Sequence, residues 1–206
     1  MKKIAIALMC TIFAVGAAMA QKQFTFGPKI GVDYTHYWGE DAYHGGQLNY
    51  QAGLFMEYRF TNKFSVAPEV VFAAQGGKFE YDNGRGSVYK ETDNVNYINV
   101  PVMLKFYVVP ELSIDFGPQV GFNIYSKNTQ ELKIGGEGGK KTYDMKNGTK
   151  SVDFGLGLGL TYNITNDVFV QGRYTMGMTE VFKKELGVLN GKAKNGNAQI
   201  AIGYRF

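Results

Sequence analysis

Cysteine is almost missing. The single thiol in 206 residues is Cys10, so no internal disulfide braces the fold and no thiolate cluster can hold a metal. Histidine is nearly as scarce, with only His36 and His44, which argues against an imidazole-rich metal centre. Charge of one sign is also lacking: 22 Lys+Arg face 18 Asp+Glu, a balance that gives no case for a nucleic-acid partner. Mean hydropathy is −0.20 and no long apolar run occurs after residue 20, which excludes a bundle of membrane helices. Glycine and aromatics are abundant instead, with Gly 27, Phe 15 and Tyr 14. Aromatics at 15% with charge at 19% argue against disorder.

Residues 1–20 read as a secretory signal peptide. Lys2 and Lys3 form the charged start, 4–18 is apolar, and Ala18-Met19-Ala20 is an A-x-A site, predicting cleavage between Ala20 and Gln21. The apolar run falls short of the roughly 20 residues of a spanning helix. Cys10 lies inside that run rather than at its end, which argues against a lipid anchor. The expected organisation is a signal peptide over 1–20 and one domain over 21–206.

Period-2 alternation runs through nearly all of 21–206 and predicts eight strands: 23–38, 49–60, 64–75, 97–108, 112–125, 151–162, 168–179 and 197–206. The connections alternate between tight (61–63, 109–111, 163–167) and long (39–48, 76–96, 126–150, 180–196). Short turns at one end and long loops at the other are the pattern of an up-and-down outer-membrane barrel.

The two faces differ sharply. None of the 50 even positions in those strands is Asp, Glu, Lys or Arg, whereas the odd positions carry ten such charges. A lipocalin-type barrel would put the apolar face inside; a membrane barrel puts it outside. The odd face decides, because it holds Gly27, Gly31, Gly53, Gly117, Gly121, Gly155, Gly157, Gly159, Gly177 and Gly203. Glycine weakens a water-exposed sheet but suits the crowded interior of eight strands. The even face also sorts by depth. Phe24, Tyr58, Phe60, Phe64, Tyr162 and Tyr204 gather at the turn end, and Tyr34, Trp38, Tyr50 and Phe72 near the loop end. Aliphatics such as Val32, Leu54, Val70, Val102, Leu158 and Ile202 lie between them. This is an aromatic girdle around a lipid-facing band. The expected fold is therefore all-β: an eight-stranded antiparallel up-and-down transmembrane barrel, with both chain ends on the periplasmic side. Pro28, Pro68, Pro101 and Pro118 fall inside strands, where each removes a ladder donor, predicting bulges or distortions in the turn-side half.

Several segments carry a family likeness: FGPKIGVDYT (26–35), APEVVFAAQGGKF (67–79), YINVPVMLKF (97–106), DFGPQVGFNI (115–124), DFGLGLGLTY (153–162) and GRYTMGMTEV (172–181). In these the chain resembles the PorT-like family of small outer-membrane barrel proteins of Gram-negative bacteria. The resemblance implies a porin-like barrel in the outer membrane and, for some relatives, assistance to protein secretion. The ending Tyr204-Arg205-Phe206 resembles the signal read by the outer-membrane insertion machinery, with Tyr204 and Phe206 as its aromatics.

Inside the barrel the expected charges are Lys29, Arg59, Lys105, Arg173 and Arg205 against Asp33, Glu57, Glu69, Asp115 and Asp153. Five against five predicts a neutral, mutually paired plug in preference to a conduit. A catalytic reading would need His44 with Ser87 or Asp82, as in a lipid-modifying barrel enzyme. A metal site would need His36, His44, Glu40 and Asp41, whose spacing fits no common ligand pattern. The blander reading is preferred for both: His36 caps the lipid face and His44 lies in a polar loop. Gly155-x-Gly157-x-Gly159 is no nucleotide fingerprint, because no helix follows it, and GGEGGKKT (135–142) lacks the spacing of a phosphate loop. Loop 126–150, with six lysines and three acidic residues, is read either as a contact for anionic lipopolysaccharide or a partner, or as a mobile solvated loop. The leading expectation is a non-enzymatic outer-membrane protein that acts structurally or as a secretion accessory through its extracellular loops. A narrow pore for small solutes or ions is the alternative, and a lipid-modifying enzyme the third reading. No cofactor is expected. The expected partners are outer-membrane lipid and lipopolysaccharide, the insertion machinery, and an unknown protein at the loops.

Overall fold

A computed structural model describes residues 23–39, 45–84, 87–134, 137–183 and 192–206. The signal segment, its Ala20/Gln21 junction and His44, Glu40 and Asp41 lie outside the described residues. The described chain is all-β: β1 (Phe24–Trp38), β2 (Gln47–Arg59), β3 (Phe64–Gln75), β4 (Lys78–Asp82), β5 (Ser87–Val109), β6 (Leu112–Ile134), β7 (Glu137–Asp144), β8 (Val152–Asn163), β9 (Val168–Glu180) and β10 (Lys194–Tyr204). Eight of these strands form a closed antiparallel ring in the order β1-β2-β3-β5-β6-β8-β9-β10, with β10 returning to β1 and β5 pairing with β6. Closure removes every strand edge from the spanning wall, as hydrocarbon surroundings demand.

Parity is read directly in the exposure of each side chain. Ile30, Val32, Leu54, Leu104, Leu158 and Ile200 point outward and are 57–68% exposed on the isolated chain. Lys29, Asp33, Gln51, Glu69, Lys105, Asp115 and Arg173 on the other face are buried. Polar inside and apolar outside is the reverse of a soluble barrel. The outward aromatics meet one another at both ends. Phe64–Phe106 and Tyr204–Phe206 pack at 5.2 and 5.0 Å by the short turns, and Tyr50–Phe72 at 6.0 Å near the other rim. His36 lies on this outer face between Tyr34 and Tyr174.

Two expectations need correction, the first in part. The register does not shift at Pro28, Pro68, Pro101 or Pro118, so no bulge forms there, but the ladders are interrupted beside two of them. Pairing between β2 and β3 skips Ala67 and Pro68, pairing between β3 and β5 skips the residues just beyond Pro68, and pairing between β5 and β6 those just beyond Pro101. A lost N–H donor costs one ladder bond, while flanking pairs hold the alignment. The register shifts lie elsewhere: at Asn96/Tyr97, at Tyr107/Val109 and at Lys194/Gly196.

The second correction concerns the long loops. Segments 76–96 and 126–150 are largely strand. β5 and β6 continue past the barrel as one hairpin, with β4 added beside β5 and β7 beside β6. The result is a four-stranded sheet, β4-β5-β6-β7, standing above the rim. The extra residue opposite Asn96/Tyr97 makes this possible: below it Asn123 faces the lumen, and above it Ser126 and Asn128 do. A bulge of this kind bends the strand and exchanges parity.

Candidate functional site

The interior is built in levels. Nearest the short turns, Glu57 on β2 is buried and accepts from Tyr107 Oη at 2.5 Å, Ser65 Oγ at 2.9 Å and Lys105 Nζ at 3.1 Å. Arg59 and Arg205 stand 3.6 and 3.7 Å from the same carboxylate. Phe55 and Phe169 cross the space above edge to face, with ring centroids 5.0 Å apart. Gly203 makes room for this pair, since a Cβ there would lie 2.2 Å from the Phe169 ring.

Midway, Glu69 on β3 receives a bidentate pair from Arg173, at 3.0 and 2.6 Å, and Lys29 Nζ at 2.5 Å. Lys29 also donates to Gln171 Oε1 at 3.1 Å. Gln171 in turn donates to Asp115 at 3.2 Å, whose remaining partners are Thr161 at 2.5 Å and Ser113 at 2.6 Å. These bonds tie β1, β3, β6, β8 and β9 together across the axis.

Towards the long loops the lumen becomes acidic. Asp33 is fully buried, with the Asn197 amide as its neighbouring donor and no ion pair among the described residues. Asp153 accepts from Asn195 at 2.8 Å and from Thr179. Between them Gln51 donates to Gln199 at 2.5 Å. An apolar cap of Tyr37, Val181, Phe182 and Ala193, with Met145 packed against it, closes the upper end.

The ten expected lumen residues thus all face inward or line the lower rim. Their charges balance only over the whole length. Three cations surround one carboxylate at the bottom, two face two in the middle, and Asp33 and Asp153 stand at the top without an ion pair among the described residues. Parity alone missed Phe55, Tyr97, Met103, Tyr107 and Phe169, all buried. Their signal was large odd-face side chains paired in register with small ones, as in Phe169 opposite Gly203.

Above the rim, the sheet has two chemically distinct faces. One carries the cross-strand row Glu80–Lys90–Glu131–Lys140, with Lys90 2.8 Å from Glu80 and Lys133 2.9 Å from Glu131. The Lys90 ammonium holds Glu80 below the ordinary carboxylate range. The other face continues the lumen side and carries Phe79, Tyr81, Tyr89, Leu132 and Tyr143. Tyr81, Leu132 and Tyr143 are exposed. At the base of this face burial raises the Asp93 carboxyl to about 6, against the pull of its hydrogen bond from Asn128. Ser87 and Asp82, the proposed companions of His44, belong to the strands of this sheet. Among the described residues no group of three or more His, Cys, Asp or Glu is arranged to hold a metal.

A closed ring with a lipid-facing apolar wall and a polar filled interior defines an outer-membrane β-barrel. The family described as outer membrane protein beta-barrel domain matches residues 19–183, and the chain belongs to it. It is a protein of the Gram-negative outer membrane. No curated protein matches the sequence. Among solved structures it is similar to Ail, the attachment invasion locus protein of Yersinia pestis, with 15% identity, a TM-score of 0.49, and 89% of this chain and 99% of that one covered. Neisserial surface protein A is 12% identical, with a TM-score of 0.46 and coverage of 88% and 97%. OprG from Pseudomonas aeruginosa is 14% identical, with a TM-score of 0.38 and coverage of 89% and 95%.

Proposed function

We propose that this barrel is a non-enzymatic element of the outer membrane, acting structurally or as a secretion accessory of the PorT-like kind. The observation that carries the reading is where ordered surface has been built. The middle of the lumen is filled with paired charges and aromatics, while the four-stranded sheet stands clear of the membrane and presents one charged and one aromatic face. A folded sheet with exposed Tyr81, Leu132 and Tyr143 offers a preformed contact surface at small ordering cost. Its lysines, with Lys127 and Lys146, supply positive charge for lipopolysaccharide phosphates. Tyr204 and Phe206 serve as the insertion signal, and the processed chain begins at Gln21.

The test is a trimmed chain in which 78–92 and 127–144 are each replaced by a short turn. Proteins released to the medium and exposed at the cell surface are compared among wild-type, deletion and trimmed strains. The trimmed chain is expected to insert in the membrane yet leave the same exported proteins missing as the deletion does. Full restoration by the trimmed chain would contradict a role for the sheet. Steady unitary conductance of the wild-type protein in planar bilayers would favour the narrow-pore reading instead.

A further inference from the structure

We propose that the periplasmic mouth of the barrel is a binding site for an oxyanion, a carboxylate or phosphate group carried by a small ligand. A cavity of about 600 Å³ opens among the short turns, with Arg59, Arg205, Glu57, Glu111, Thr25 and Asn163 in its wall. That volume falls within the roughly 300–1,000 Å³ of small-molecule sites.

Three observations point to an anion. The first is the placement of charge. Arg59, Lys105 and Arg205 surround Glu57, and Asp115 lies opposite Lys105 across β5 and β6. The two inner carboxylates are buried and occupied by Lys105, Tyr107, Ser65, Thr161 and Ser113. The guanidiniums of Arg59 and Arg205 are the charges of this level that reach the opening, with Glu111 on the outer wall, and positive charge set in a low-dielectric wall attracts anions.

The second is the state of Arg59. Its guanidinium lies 3.9 Å above the Tyr107 ring, which fixes its plane. Glu57 stands 3.6 Å away, too far for a hydrogen bond, and no other hydrogen bond of this group exists among the described residues. With 35% of the side chain exposed, its fork of donors faces the cavity unused. A planar guanidinium already held in place is the group best suited to grip a carboxylate or phosphate.

The third is the rest of the wall. Arg205 is anchored by Asn166 O at 3.3 Å and Asn163 Oδ1 at 3.1 Å, so a second guanidinium is kept at the same opening. Gln23, Thr25, Thr165 and Asn166 add amides and hydroxyls, donors for the remaining oxygens of a ligand. Among the turn residues in the cavity wall Glu111 is the one acid, and it disfavours a ligand with a second negative group on that side. The buried Phe55–Phe169 pair and the Glu69 cluster close the lumen above. The site is therefore a blind pocket entered from the periplasm.

The test uses the full-length barrel in a sugar-headgroup detergent that carries no phosphate. Sodium phosphate and, separately, sodium acetate are titrated at constant ionic strength, followed by calorimetry and by the NMR signals of arginine side chains. Arg59→Gln is the probe variant, because Glu57 keeps Lys105, Tyr107 and Ser65 and the lower lumen stays paired. Lys63→Gln, in the exposed turn between β2 and β3, is the control. Saturable binding is expected for the wild type and the control, with affinity lowered by about tenfold or more in Arg59→Gln, the scale of one charge-assisted hydrogen bond. If the occupant is an anionic lipid headgroup, that lipid co-purifies with the wild type, leaves when phosphate is added, and is absent from Arg59→Gln. The proposal is overturned if neither anion gives a saturable response, or if Arg59→Gln binds as the wild type does.

Discussion

Glu69→Ala is expected to cost about 3–5 kcal/mol of stability, the usual penalty for removing one partner of a buried ion pair. Glu69 is the shared acceptor of Lys29 and both terminal nitrogens of Arg173. All three side chains are almost completely buried, at 1–3% exposure. Without the carboxylate, two cations repel each other in a site with little water. Arg173→Ala is expected to cost less, because Glu69 keeps Lys29 and Lys29 keeps Gln171. Glu69→Gln should fall between them, since it retains an acceptor but no charge. The triple variant Lys29→Met, Glu69→Met, Arg173→Met should recover most of the loss, because apolar side chains of similar volume often replace a buried ionic cluster without net cost. Equilibrium unfolding from lipid vesicles by guanidinium, followed by the fluorescence of Trp38, reads all four. Equal stability of Glu69→Ala and wild type would mean that water fills this level and the charges are not paired in a dry interior.

The second large effect is on the opposite face. Leu158→Arg is expected to destabilise the barrel by about 2–4 kcal/mol, the cost of arginine near the bilayer midplane. Leu158 lies in the middle of β8, paired with Phe116 and Tyr174, and is 59% exposed on the isolated chain. Phe64→Arg, beside the turn between β2 and β3, should cost only about 0–1 kcal/mol, since the penalty falls towards the interface. In a water-exposed wall both changes would be nearly silent, within roughly 0.5 kcal/mol. The contrast between the two positions, read by the same unfolding experiment, reports depth in the membrane.

Much of this wall was legible from period and parity. Two residues per repeat, uncharged even positions from Phe24 to Phe206 and a glycine-bearing odd face suffice to specify a closed ring and its inside-out sense. The tight turns follow from strand length, because a ring of similar heights leaves only a few residues at one end. The extracellular sheet was hidden for two physical reasons. The parity exchange at Asn96/Tyr97 breaks the alternation where β6 leaves the barrel. Above it, segments such as KNTQELKI have apolar residues only at their far end, Leu132 and Ile134, because both faces are open and the strands are held mainly by backbone pairing and ion pairs such as Glu80–Lys90. Polar strands of this kind look like loops. The lumen charges could be found one by one, but their levels could not. Depth depends on strand tilt and stagger, so the grouping of Arg59, Lys105 and Arg205 around Glu57, and the absence of a cation beside Asp33 among the described residues, are set by the closed ring and not by the strand pattern. The prolines failed as bulge markers because an unchanged register on both sides outweighs one missing donor.

The orientation of the barrel wall is tested most directly by spin-label accessibility along β8 in lipid vesicles. Single cysteines are placed in turn at positions 156, 158, 160 and 161, in a chain whose only native cysteine is replaced by Cys10→Ser. Labels at 156, 158 and 160 are expected to collide freely with lipid-dissolved oxygen and to be shielded from a water-soluble nickel chelate, whereas a label at Thr161, which faces the lumen, should be shielded from oxygen. Alternation of the opposite sense, with the chelate reaching the Leu156, Leu158 and Leu160 positions, would contradict the assignment of the apolar face to lipid.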